Sequence, residues 1–167
     1  MNTRNTCRLF LILIPLFVVT ACEQQTASNL PASSRITFAA NEHDKQIGEY
    51  VIHVNALTNS QLPAVVARGY NISRSQSRAM MNVAVRRKMP EGELPITASV
   101  KVIAKNLSNQ LKDVDLREIK EDEPLAIYYI GVLPVSHEET IVFDLDVIPE
   151  GESEPVLLSY RQQFFTE

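Results

Sequence analysis

Three arginines crowd one polar stretch of this 167-residue chain: Arg68, Arg74 and Arg78, with Tyr70, Asn71, Ser75 and Ser77 among them. A guanidinium presents forked N–H donors that match a carboxylate or phosphate, so Arg68, Tyr70, Arg74 and Arg78 form a candidate ligand- or partner-binding set. The competing reading is structural, with one arginine pinning a long loop to a carboxylate or to backbone carbonyls. A second cluster, Glu118, Glu121, Asp122 and Glu123, has the atoms for paired acid–base work. It reads more simply as a solvated charge run.

Other chemistry finds little to stand on. His43-Asp44, His53 and His137-Glu138-Glu139 hold ligand atoms, yet no two histidines have the i, i+2 or i, i+4 spacing of a metal pair. Met80, Met81 and Met89 do not make a copper site, since Met81 falls on an apolar face and Met89 in a turn. No Gly-x-Ser-x-Gly turn is present, and five glycines form no phosphate-cradling loop. No catalytic residue, metal or cofactor is therefore expected, and the chain is read as not an enzyme.

Cys22 carries the clearest chemical signal. Arg4 and Arg8 precede an apolar run from Leu9 to Thr20, as in an export signal. At about 1.5 Å per residue that run is too short to span a bilayer core of roughly 30 Å, and Pro15 interrupts it. It ends Val18-Val19-Thr20-Ala21-Cys22, an aliphatic residue and two small ones before the cysteine, which resembles a lipobox. Val19 stands where Leu is commonest. The plain alternative is an ordinary thiol after ordinary cleavage near Ala21. Against it, Cys7 lies in the segment to be removed, leaving Cys22 as a lone thiol in an oxidising compartment unless it is modified. A thioether lipid and an acylated amine supply the two or more chains that stable anchoring needs. Glu23 follows Cys22, which favours the periplasmic face of the outer membrane over the inner by analogy with enterobacterial sorting.

The expected organisation is thus a signal peptide over 1–21, a lipidated flexible tether over 22–46 and one folded domain over 47–167. Removing the signal takes both of its arginines and leaves 14 basic against 20 acidic residues, a net of −6. Nucleic acid is not expected as a partner. The tether is rich in Gln, Ser, Ala, Asn and Thr and buries too little to offset its ordering entropy. An alternative gives Ile36-Thr37-Phe38 an edge-strand role.

From Gly48 onward apolar residues recur with period two. Tyr50, Ile52, Val54 and Ala56 share one face; Met81, Val83 and Val85 another; Val100, Val102 and Ala104 a third. Val114 and Leu116 alternate with Asp113, Asp115 and Arg117 as a thin edge strand. Leu125 to Val135 is apolar on both faces, as a central strand requires. Ile141, Phe143, Leu145 and Val147 alternate with Asp144 and Asp146, and Val156 to Phe165 closes the set. About seven strands separated by Pro, Gly and Asn turns, with no βαβ rhythm, predict an all-β, immunoglobulin-like antiparallel sandwich. A small closed barrel is the runner-up. The absence of Trp and of a cysteine pair excludes an antibody-type core. Residues 57–78 break the rhythm as one long loop with a short helix, Pro63 early in it, Gly69 ending it, and Asn59 or Ser60 as its cap.

The order Gly48-Glu49-Tyr50, His53-Val54-Asn55-Ala56-Leu57, Leu62-Pro63, Val66-Ala67, Tyr70-Asn71-Ile72-Ser73-Arg74-Ser75 and Met81-Asn82-Val83-Ala84-Val85 resembles the family called domain of unknown function 4426. Ile127-Tyr128-Tyr129, Pro134-Val135-Ser136 and Glu138-Glu139-Thr140 continue the resemblance, which spans Ile47 to Thr166. It implies a small exported proteobacterial β-domain and carries over no catalytic residue. Many members of that family have a plain cleavable signal. The lipobox here departs from that pattern and puts in doubt any need for membrane attachment in the domain's activity. The expected role is a non-enzymatic binding or assembly module with a possible envelope protein partner. A small-ligand carrier is the alternative, and an Asp/Glu hydrolase the third reading.

Overall fold

Alternation with period two forces each strand to offer one apolar face, and two such sheets close on each other. The computed structural model describes residues 34–166. In chain order its elements are β1 (Ile36–Thr37), β2 (Asp44–Ile47), β3 (Tyr50–Thr58), a 3-10 turn (Asn59–Gln61), α1 (Ala64–Gly69), β4 (Arg78–Met89), β5 (Gly92–Pro95), β6 (Ala98–Asn106), β7 (Leu111–Lys112), β8 (Arg117–Asp122), β9 (Leu125–Pro134), β10 (Glu139–Pro149) and β11 (Val156–Phe164). One sheet runs β1-β11-β10-β6-β7; the other runs β2-β3-β4-β9-β8, with β5 paired to β4. The sheets share no strand, so the molecule is a sandwich and not a closed barrel.

The core lies between the sheets. Ile52 and Val54 of β3, Met81, Val83 and Val85 of β4, Leu133 of β9, Phe143 and Leu145 of β10 and Leu158 and Phe164 of β11 are all fully or nearly fully buried there. Phe143 is fully buried while Val142 and Asp144 are half-buried, the alternation its sequence predicts. Every strand pairing is antiparallel except that of β1 with β11.

Three expectations change. The tether does not reach residue 46: β1 pairs with β11, Phe38 is buried edge-on against the Tyr160 ring with centroids 5.5 Å apart, and β2 pairs with β3. A few well-placed apolar residues suffice when a sheet edge supplies the backbone partners. Residues 22–33, with the lipobox and signal before them, lie outside the described residues. Second, residues 113–116 are not an edge strand. They carry the chain from β7 in one sheet to β8 in the other, with Val114 and Leu116 packed on the core and Asp113 and Asp115 exposed. This crossing leans on Gly131 of β9, where an added Cβ would stand 2.6 Å from Val114 Cγ1 and 2.9 Å from Leu116 Cδ2. Third, the helix takes neither of its expected polar caps. Pro63 occupies the cap position, Gly69 is the last helical residue, and the left-handed residue beyond is Asn71 at φ 52°. Asn59 is instead buried, its Nδ2 donating to the Ser73 carbonyl at 3.1 Å.

Candidate functional site

Loop 59–77 is held on the outer face of the second sheet by a small core of its own. Leu62, Ala67 and Ile72 bury against Met80 of β4 and Ile130 of β9, with Val66, Tyr70, Tyr128 and Val132 half-buried around them. The sequence makes this possible because β4 and β9 are apolar on both faces over these residues.

That packing divides the four candidate residues. Arg74 Nη2 donates to the Ser60 carbonyl at 2.6 Å, and Ser60 N donates to the Ser75 carbonyl at 3.0 Å, so Arg74 ties the two ends of the loop together. The Tyr70 hydroxyl donates to Glu121 Oε1 on β8 at 2.6 Å. Burial, then the adjacent carboxylate, push its phenol up to about 12. The Tyr70 carbonyl in turn accepts from the Arg117 guanidinium. Arg68 is exposed in the last turn of α1, where a cation complements the helix carbonyls. Arg78 is exposed at the start of β4 and faces a groove.

The groove has a volume of about 610 Å³. Its floor is apolar, from Ile72, Ile130, Val132 and Pro134; its polar lining is Asn71, Arg78, Arg117, Asp113 and Asp115. The strand order β4-β9-β8 sets Arg78 on one side of β9 and the crossing segment with Asp113 and Asp115 on the other. Among the described residues, the side chains of Arg78, Asp113 and Asp115 form no hydrogen bond or ion pair. A second hollow on the same outer face, about 560 Å³ and lined in part by His53, Asn82, Arg86 and Tyr128, differs in its charges. There Arg86 is already taken by Asp44 at 3.3 Å and Glu93 at 3.0 Å.

A sequence model of the DUF4426 family, a domain of unknown function, matches residues 44–167. The chain belongs to the DUF4426 family. This DUF4426 chain is also similar to a DUF4426 family protein of Pseudomonas aeruginosa PAO1 known from a crystal structure, at 27% identity and a TM-score of 0.63, over 74% of this chain and 94% of that one. No protein of curated function matches it.

The other candidate chemistry of the DUF4426 domain does not converge. Glu118 and Glu121, three apart on a strand, point to opposite faces. Glu118 pairs with Lys120 and accepts from the Tyr129 hydroxyl, both at 3.0 Å; the Lys120 bond, then Tyr129, hold its carboxyl below the usual range. Tyr129 itself accepts from Ala98 N–H at 2.7 Å, and burial first pushes its phenol up to about 12. His53 Nδ1 lies 3.0 Å from Asp44 Oδ1, and His43 Nδ1 lies 3.2 Å from the Val54 carbonyl. Among the described residues no three potential ligands gather as a metal site.

Asp113, Asp115 and Arg117 are the site residues that the arginine-rich stretch does not reveal. Their signal was present in the sequence, as three charges alternating with Val114 and Leu116. Only the pairing of β8 with β9 brings that charged edge beside Arg78.

Proposed function

We propose that this chain is a non-enzymatic binding or assembly module of the bacterial envelope. It is held through lipid on Cys22 at the periplasmic face, on the outer membrane, and takes its partner in the groove beside Arg78. The observation that carries this reading is the groove itself, where Arg78, Asp113 and Asp115 stand over an apolar floor without described partners. A cation and two carboxylates gathered in one concavity without closing on each other present both signs of charge to a partner. The lipobox supports the address, and the absence of a catalytic sequence motif supports a binding role. Arg74 and Tyr70 serve the reading indirectly, since their bonds fix the wall that carries Asn71 and Ile72.

A small-ligand carrier is the second reading, favoured by the size of the groove, which falls in the range of roughly 300–1,000 Å³ usual for small-molecule clefts. The sandwich interior is a poor home for such a ligand, because Phe143, Phe164, Leu158 and Ile52 fill it.

In-cell photo-crosslinking from position 134, on the exposed lip of the groove, separates these readings. A protein-sized adduct that disappears in Arg78→Gln supports the assembly module. A small adduct with the same dependence supports the carrier. An adduct pattern indifferent to Arg78 overturns the groove as the site, and a turnover by the purified protein that dies on one side-chain change overturns the non-enzymatic role.

A further inference from the structure

We propose that the groove binds a short peptide through both of its terminal charges, with an apolar side chain on the groove floor. This rests on the groove reading above and names its ligand. The argument begins with where the charges stand. Arg78 opens β4, paired with Pro134 of β9; Asp113 and Asp115 belong to the crossing segment that enters β8 on the other side of β9. Cation and carboxylates thus line the same groove from different segments, with β9 between Arg78 and the start of β8. No ion pair joins them among the described residues.

The accessible floor between the charges is Val132 and Pro134, backed by the buried Ile72 and Ile130, and it offers apolar contact and no counter-charge. A ligand with one charge engages one wall only, and an uncharged one engages neither. A peptide of two or three residues answers both walls. At about 3.3–3.6 Å per extended residue its ammonium and carboxylate stand far enough apart to engage groups on different segments of the groove wall. The carboxylate takes the forked Arg78 guanidinium, the ammonium takes Asp113 and Asp115, and a side chain such as leucine covers the floor.

The walls are fixed in place. Gly131 lets Val114 and Leu116 seat against β9, which holds Asp113 and Asp115 outward, and the Arg117 guanidinium on the Tyr70 carbonyl ties the crossing segment to the loop. Such a site discriminates by chain ends and length more than by side-chain identity.

The test uses the full lipidated protein in detergent and the tripeptide Ala-Leu-Ala, titrated calorimetrically beside its N-acetyl form, its C-terminal amide and free leucine. Saturable binding of Ala-Leu-Ala is expected, weakened by about tenfold or more by either cap, the loss of one charge-assisted bond. In Arg78→Gln the preference for carboxylate over amide disappears while that for free amine over acetyl remains; Asp113→Asn with Asp115→Asn does the reverse. Lys101→Gln, on the other sheet, leaves all four affinities unchanged. No saturable binding, indifference to both caps, or free leucine binding as tightly as the tripeptide overturns the proposal. If the tripeptide fails while the position-134 adduct still depends on Arg78, the ligand class alone falls; if both fail, the groove reading falls too.

Discussion

Arg74 and Arg78 are four residues apart and end in different surroundings. Arg74 is spent on the Ser60 carbonyl within its own loop, whereas Arg78 has no described partner and faces the groove. Single residues also set how the domain responds to acid. Burial raises the Glu139 carboxyl, but Lys112 at 2.7 Å, Asn106 and the Ser136 N–H outweigh it and hold it below its ordinary value. Asp144 behaves alike, with burial opposed by Lys105 and Ser159. Both carboxyls bind protons more readily in the unfolded chain, so their stabilising effect is present above the ordinary values of 4.5 and 3.8 and is lost as pH falls through the depressed folded ones. Urea midpoints should therefore hold near about pH 6 and drop toward about pH 3. Glu139→Gln should lower the upper end and flatten part of that fall; an acid profile unchanged by Glu139→Gln and Asp144→Asn together would remove these two groups as its cause. Gly131→Ala is expected to cost about 1–3 kcal/mol by pushing against Val114 and Leu116, read as a lower urea midpoint.

At the scale of elements, the long strands follow from alternation and the short ones from their neighbours. Phe143 sits at the centre of β10 with no exposed surface, and Phe143→Ala should cost about 3–5 kcal/mol in chemical denaturation. Phe38 tests a different claim. Were residues 34–46 a tether, Phe38→Ala would be silent; packed beneath Tyr160, it should cost about 3 kcal/mol or more by the same measurement. The parallel β1 and the four-residue β2 thus belong to the domain, although their sequence carries little apolar pattern. The crossing segment 113–116 shows the reverse case, a clean alternation with no strand pairing, because burying one side of an extended chain needs only a wall and not a ladder.

For the whole molecule, β1 and the groove lie at different heights of the sandwich. Ile36 pairs with Leu158, and the chain before it runs toward the start of β11. Arg78 and Pro134 instead stand at the other end, beside the turn that leads to β10. Cys22→Ala is expected to accumulate as unprocessed or unlipidated protein and to lose membrane partition on fractionation of cells; normal partition of that variant would refute the lipobox.

By itself the sequence determined the all-β sandwich, the faces of its long strands, the helical turn within residues 57–78 and the family, because period-two burial and turn chemistry are local properties of the chain. It also supplied every charge of the groove. What only the tertiary structure decided was which charges meet. Arg68, Tyr70, Arg74 and Arg78 are neighbours in sequence, yet the Ser60 carbonyl claims Arg74 and Glu121 claims Tyr70, and Arg78 finds its companions Asp113, Asp115 and Arg117 some forty residues later. Strand order, the side-chain-free step at Gly131 and the sheet edge that captures β1 depend on contacts between distant segments, and a local pattern holds no record of those distances.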